Sequence, residues 1–317
     1  MTDRLDAAPL FQEDFLDEIW KNATVASLCL SLFRSRRMTS AQTRVPVLAT
    51  KASAFWITGD TGLKPTTEIG WGNTYINAEE LAAVVVIPDN VVDDADFPLW
   101  DEYRPELEEA AAVLIDDTIL GGIAAPGSFP AGIVPAANAA GNTIVAGTST
   151  VDWLDDVNNM IGLVEADGYM VDTLIGKLSL QARLRGLRDA NKGFLVAPAG
   201  PAGSSAANQR YQGQLFGVNL ELDQLGLQTF ATGTNMPEVI GLDKDAFVIG
   251  RRKDLTFKTA DTGVITAADG SIVINLFQQD ASALRMVMRI GWQVKNPVSR
   301  IAPNATGRYP AGVVVSA

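Results

Sequence analysis

An α+β chain built around one dominant helix is what this sequence predicts, and three observations carry the prediction. Apolar residues recur at helical spacing within 98–120. A long extended excursion, punctuated by glycine and proline, precedes that run. Strand-like runs then dominate the chain beyond residue 216.

Taken in order, residues 11–33 read as an amphipathic helix, with Phe11, Phe15, Ile19 and Trp20 on one side, then Val25, Leu28 and Leu32. Such a helix packs at home or serves as an arm on a neighbouring chain. Arg34, Arg36 and Arg37 follow as a short basic patch. From Thr43 to Trp56 the pattern is extended. Gly59, Asp60, Gly62, Pro65, Gly70 and Gly72 then favour turns between two strand-like runs, Ala54–Thr58 and Asn73–Ile87. A two-stranded excursion has little core of its own, so something else must hold it. Its aromatics, Trp56, Trp71 and Tyr75, suit stacking on a sugar or base, or anchoring against another chain; the second reading is preferred.

Leu81–Ile87 reads as a buried strand that stops at Pro88. The main helix starts at Asp96 or Pro98 and ends at Gly121 and Gly122, with Leu107, Ala110, Ala111, Leu114 and Thr118 as its apolar face. A second helix is capped by Thr150 and carries Trp153, Leu154, Val157, Ile161 and Val164 to Gly168. A strand near Tyr169–Leu174, a helix near Ser179–Arg188 and a strand Phe194–Val196 come next, then a small-residue loop over 197–208. The remaining strands are Phe216–Leu220, Ala246–Ile249, Leu255–Lys258, Ser271–Phe277 and Ala283–Ile290.

Composition excludes much chemistry. The 317 residues include no histidine, which removes imidazole as base, shuttle or zinc ligand. The single Cys29 cannot form an internal disulfide and reads as a buried small hydrophobe. The formal charge of −12 argues against general nucleic-acid binding. Charge is also segregated. Asp89–Asp117 holds 11 acidic residues against Arg104 alone, whereas 281–317 holds five basic residues and none acidic. In an assembly these would be complementary faces. The first residues lack the basic-then-apolar order of a signal peptide, and no uncharged apolar run of membrane-spanning length occurs. The expectation is a soluble intracellular chain.

Neither a dinucleotide fingerprint nor a phosphate-binding Walker loop is present, and no nucleophile elbow occurs. The acid pairs Asp93–Asp94, Asp116–Asp117 and Asp155–Asp156 do not share a helix face as pairs and lack calcium-loop spacing. They are expected at a solvated surface or a subunit contact. No catalytic residue, cofactor or metal is assigned.

The order of these features resembles the major capsid proteins of tailed double-stranded-DNA bacteriophages, the Hong Kong 97 fold family. The resemblance rests on Ala54-Phe55-Trp56-Ile57, Gly62-Leu63-Lys64-Pro65, Leu120-Gly121-Gly122, Pro130-Ala131-Gly132-Ile133, Leu184 to Asp189 and Asn191-Lys192-Gly193. Leu215-Phe216-Gly217-Val218, Ala246 to Arg252 and Phe277 through Trp292 complete it. It implies an N-terminal arm over 1–45, an extended loop over 46–80 and a peripheral domain over 81–149 with its spine helix at 98–120. An axial domain over 150–275 and a peripheral return over 276–317 follow.

The implied function is structural. The chain would form hexamers and pentamers of an icosahedral shell around double-stranded DNA, assembled in the host cytoplasm with a portal and a separate scaffolding protein, without sequence-specific DNA binding and without a membrane. The expected inter-subunit contacts are Phe15, Trp20, Arg36, Trp56, Lys64, Trp71, Tyr75, Arg285 and Arg289. The alternatives are the shell of a cellular nanocompartment holding a cargo enzyme, and a carboxylate-dependent hydrolase.

Overall fold

The computed structural model describes residues 27–57, 62–95, 98–147, 153–186, 212–267, 269–301 and 307–317. The expected helical residues before Ser27, the Thr150 cap, and the turn, strand and loop expected over 191–208 lie outside them. In chain order the elements begin with α1 (Leu28–Leu32), β1 (Arg34–Arg37), β2 (Gln42–Thr50), β3 (Gly70–Asn77), β4 (Glu79–Pro88), α2 (Asp89–Asp93) and α3 (Leu99–Gly121). They continue with α4 (Ile133–Ala140), β5 (Thr143–Val145), α5 (Trp153–Ala166), β6 (Thr173–Lys177), α6 (Leu180–Gly186), β7 (Gln212–Leu215) and β8 (Val218–Asp223). The last are β9 (Pro237–Leu242), β10 (Phe247–Ala260), β11 (Val264–Thr266), β12 (Ile272–Asn275), β13 (Ala281–Val294) and β14 (Ala311–Val315). No described helix is long and apolar enough to cross a membrane.

Two sheets organise the chain. One has the order β1-β10-β13-β4, the other β5-β14-β9-β6-β8-β7. The second is mixed and buried on both faces. Leu174, Leu220, Leu222, Val239 and Val314 turn toward α5 and α6, while Ile175, Ile240, Leu242 and Val313 turn toward α4 and the end of α3. Double-sided burial explains why β14 reads as an unbroken apolar run and β9 as one interrupted by Glu238 alone, with every residue of both inside. The main core crosses from this sheet to the other, where Phe247, Ile249, Met288 and Trp292 join it.

Sheet membership cuts across the expected domain limits. β14 lies in the returning carboxyl-terminal segment, yet it hydrogen-bonds to β5 and β9 of the six-stranded sheet. β10 lies wholly inside the segment expected to be axial, yet it pairs with β13 and β1 in the four-stranded sheet. The two strands expected at 246–249 and 255–258 are one strand of 14 residues, interrupted by register shifts rather than by a turn.

The spine helix α3 occupies nearly its expected span and stops at Gly122, whose φ of 71° satisfies a left-handed cap. Of the expected face, Leu107, Ala111 and Thr118 are buried, and Ile115 and Ile119 continue the buried stripe; Ala110 and Leu114 face outward. A spacing of four keeps one stripe against β10 and β13, and residues 110 and 114 fall about 100° behind it. Helix α1 is a single turn begun by Ser27, whose extended backbone and side-chain bond to Leu30 N mark a fresh start. The expected continuous helix over 11–33 is therefore broken there.

The expected run Asn73–Ile87 is two strands. β3 pairs with β2, and β4 joins the edge of the four-stranded sheet against β13. An edge strand with one covered face alternates, so Val84 is outward and the run 81–87 is not uniformly buried. Residues 54–57 are not in a strand; the ascending arm of the hairpin is Gln42–Thr50 instead. Phe216 is not in a strand either. With Gly217 it makes the tight β7–β8 turn, at φ of 55° and 77°.

Asp116 and Asp117, expected at a surface, are almost fully buried. Adjacent helical side chains diverge by about 100°, and each carboxylate takes a different partner segment. Asp116 accepts from Ser27 Oγ at 2.6 Å, Leu28 N at 2.7 Å and Cys29 N at 3.0 Å, capping α1. Asp117 accepts from Thr229 N at 2.8 Å, Thr229 Oγ1 at 2.7 Å and Gln228 N at 3.0 Å, capping a short turn at 228–230. Unpaired first-turn N–H groups are natural carboxylate ligands. Asp156 of the third acid pair is also buried and accepts from Gly147 N at 2.8 Å.

Two predictions follow from this packing. Asp116→Ala strands three buried donors and should cost the subunit about 3 kcal/mol, whereas Asp94→Ala on the exposed helix end should cost under about 0.5 kcal/mol; denaturant titration of dissociated subunits measures both. Burial pushes the Asp116 carboxyl above its ordinary 3.8. Folding therefore takes up protons between 3.8 and the raised value, so this contribution is full below that window and is lost as pH rises through it. Asp116→Asn should remove that component of the stability–pH curve.

Candidate inter-subunit surface

The hairpin of β2 and β3 is rooted in the four-stranded sheet and bare further out. At its root Ile76 and Ala78 pack with Met38 and Val248, and Ala78 N donates to Ala41 O at 2.8 Å. A Cβ on Gly291 of β13 would stand 1.9 Å from Asn77 O, so hairpin and sheet backbones meet directly there. Halfway out, the segment after β13 ties the ascending arm: Val298 N donates to Leu48 O at 3.0 Å and Arg300 Nη2 to Ala52 O at 2.9 Å. The chain thus supplies part of the support that the sequence lacked in view.

On the outward face of the hairpin and in the loop past it, the large apolar side chains have little cover from described residues. Period-two alternation puts Ile76 inward and Trp71 and Tyr75 outward, beside Leu48 and Arg44 across the pair. Trp71 is 69% exposed and Tyr75 45%; past the strand end Trp56 is 101% exposed, with Phe55 and Leu63 also bare. Lys64 is exposed in the same loop. The structure therefore gathers four of the expected residues, Trp56, Lys64, Trp71 and Tyr75, onto one projection. Indoles left in water are costly unless another surface takes them.

The other expected residues lie elsewhere. Arg36 is exposed on β1 at the sheet edge, and Arg285 is exposed on the outward face of β13, level with Lys258 and Val84. Arg289 is half-buried and loosely paired, its Nε 3.9 Å from Glu80. Phe15 and Trp20 lie outside the described residues. Sequence reasoning passed over a second apolar projection, the β11–β12 hairpin, where Ile272, Val273 and Phe277 are exposed. A strand is expected over Ser271–Phe277; its pairing with β11 alone leaves Ile272 and Val273 bare.

Among the described residues one acidic group is compact enough to consider for a cation. Asp172, Asp243 and Asp245 bring carboxylate oxygens within 4.8 Å of one another. Lys244 Nζ stands 3.3 Å from Asp172 and supplies a counter-charge without an ion, and burial pushes the Asp243 carboxyl upward.

The phage capsid family model matches residues 7–303. A chain from Microbacterium phage Oxtober96 is similar over 100% of both chains, at 30% identity and a TM-score of 0.82. A chain from Mycobacterium phage Cain is similar over 99% of this chain and 98% of its own, at 27% identity and a TM-score of 0.81. The capsid of a native GTA particle shares the fold at 16% identity and a TM-score of 0.69. No curated protein matches. The mixed helix-and-sheet architecture is that of Hong Kong 97-like capsid proteins, the match favours neither the nanocompartment nor the hydrolase alternative, and the chain belongs to the phage capsid family as a structural subunit of a capsid shell.

Proposed function

We propose that this chain forms hexamers and pentamers that close into an icosahedral phage shell around double-stranded DNA. The observation that carries the proposal is the β2–β3 projection, which displays Trp56, Trp71 and Tyr75 to solvent while its root is locked to the sheet. A rigidly rooted arm with aromatic ends suits a socket on an adjacent copy. In this reading the projection is the extended loop, α3 with the four-stranded sheet is the peripheral region, and the six-stranded sheet with α5 and α6 is the axial region. Phe15 and Trp20 belong to an arm that crosses to a neighbour. Many modest contacts of this kind add up through closed geometry.

DNA would be enclosed without sequence-specific contact, in keeping with a net charge of −12. A portal and a separate scaffolding protein are the further partners proposed, and assembly would take place in the host cytoplasm before the shell becomes part of the virion. Electron microscopy of purified particles, joined to a nucleic-acid assay, tests the whole reading. Icosahedral particles filled with double-stranded DNA are expected; small closed shells filled with protein would overturn it.

Trp56→Ala should lower particle yield about tenfold, in keeping with loss of an interface anchor. The stability of the dissociated subunit should move by less than about 0.5 kcal/mol, because the side chain is bare there. Gly291→Ala should behave in the opposite way. Backbone cannot yield to the added methyl, so subunit stability should fall by about 3 kcal/mol and yield should fall with it. Denaturation midpoints and sedimentation of assembly mixtures separate the two.

A further inference from the structure

The four-stranded sheet is electrically polar from end to end. At one edge β1 is exposed throughout and presents Arg34, Arg36 and Arg37. It runs parallel to β10, whose Arg251, Arg252 and Lys253 continue the basic strip. Arg37, Arg252, Lys253 and Arg289 line a shallow groove of about 460 Å³ with Met38 and Thr39. Asp254 is the one acid in the adjoining depression. Arg34, Arg36, Arg37, Arg252 and Lys253 form no ion pair with a described residue, and Arg251 Nε donates to the neutral Ser35 Oγ at 2.7 Å.

The opposite edge is acidic. β4 leads into α2 and the first turns of α3, where Asp93, Asp94, Glu108 and Glu109 form no ion pair among the described residues and Asp101 pairs with Arg104. Packing fixes the separation of the two ends. Leu107 and Ala111 meet Leu284 and Met286, whereas Ile115 and Ile119 join Ile249 and Ile290, beside the β1 end of the sheet. From Glu109 to Ile119 the helix rises about 15 Å, and Asp93 and Asp94 lie further back. Within a chain no ion pair joins Arg34, Arg36, Arg37, Arg252 or Lys253 of the strip to Asp93, Asp94, Glu108 or Glu109 of the shoulder.

We infer that the basic strip of β1 and β10 receives the acidic α2–α3 shoulder of a second copy of this chain. The inference rests on the shell reading above and names one of its interfaces. Charges at opposite edges favour a head-to-tail contact, and a head-to-tail contact repeated by rotation closes a ring. Complementary charge also steers encounter and rejects like-charged approaches. The competing occupant, a nucleic-acid phosphate, fits the strip alone and leaves the shoulder without a partner.

The test is a charge exchange in the full chain. Arg37→Glu with Lys253→Glu and, separately, Asp93→Lys with Asp94→Lys should each lower particle yield about tenfold. All four sites are exposed, and circular dichroism of the subunits should be unchanged. Combining the four substitutions should restore yield to within about threefold of the parent. A combined variant no better than the two losses multiplied would overturn the inference, as would full yield in either reversal. Particles that form normally but lose their DNA would overturn it in favour of phosphate. If the parent chain forms no particles, the shell reading falls too; if the parent assembles and the exchange fails, only this interface falls.

Discussion

Two adjacent carboxylates at the end of one helix hold the architecture in register. Asp116 and Asp117 sit where the main core crosses between the sheets, and each closes the N-terminus of a separate segment: α1 on one side, the turn at 228–230 on the other. Burying two anions costs several kcal/mol each unless their lone pairs are filled. Here three donors meet each of them, and most of the donors are backbone N–H groups that would otherwise be orphaned. The last turns of α3 thus work as a joint. They place α1, and with it the start of β1, against the sheet, and they lock the loop after β8 to the same helix.

From that joint the outer features take their directions. α1 leads straight into β1, so the basic strip inherits its position from the Asp116 cap. Glycines do the complementary work where backbones cross. Gly132 lies against Gly121 and Gly122 with no room for a methyl, bringing α4 up to the end of α3. Gly291 does the same for the hairpin root. Close backbone approach is stiff, since no rotamer can relieve it, and stiffness at the root is what lets a slender hairpin hold its aromatics at a fixed place far from the core.

How much of this was legible follows from what each residue pattern can encode. The spine helix announced itself because its period, its proline start and its glycine stop agreed. Exposure of Trp56, Trp71 and Tyr75 followed from a hairpin too thin to bury them. β9 and β14 went unread because a short apolar run says nothing of its partners, and these partners lie far along the chain. The acid pair was half legible. That neighbouring side chains diverge is legible, and it points to a solvated surface or a subunit contact; what the sequence hides is that two helix-like N-termini from distant segments of the same chain meet them. One-sided cover hid the alternation of β4, since Val84 lies on a sheet face that no described residue covers fully.

The placement of β14 sets a clock on the making of the subunit. It sits between β5 and β9, pairing Val313 with Thr143 and Ile240, so the six-stranded sheet has a gap one strand wide until residues 311–315 arrive. A nascent chain that has finished every earlier strand still shows two open edges facing that gap, and loop closure over some 170 residues is slow. The axis of the fold is therefore the last part to be sealed. A chain whose synthesis has not passed this strand carries an unfinished six-stranded sheet, whatever its four-stranded sheet already presents.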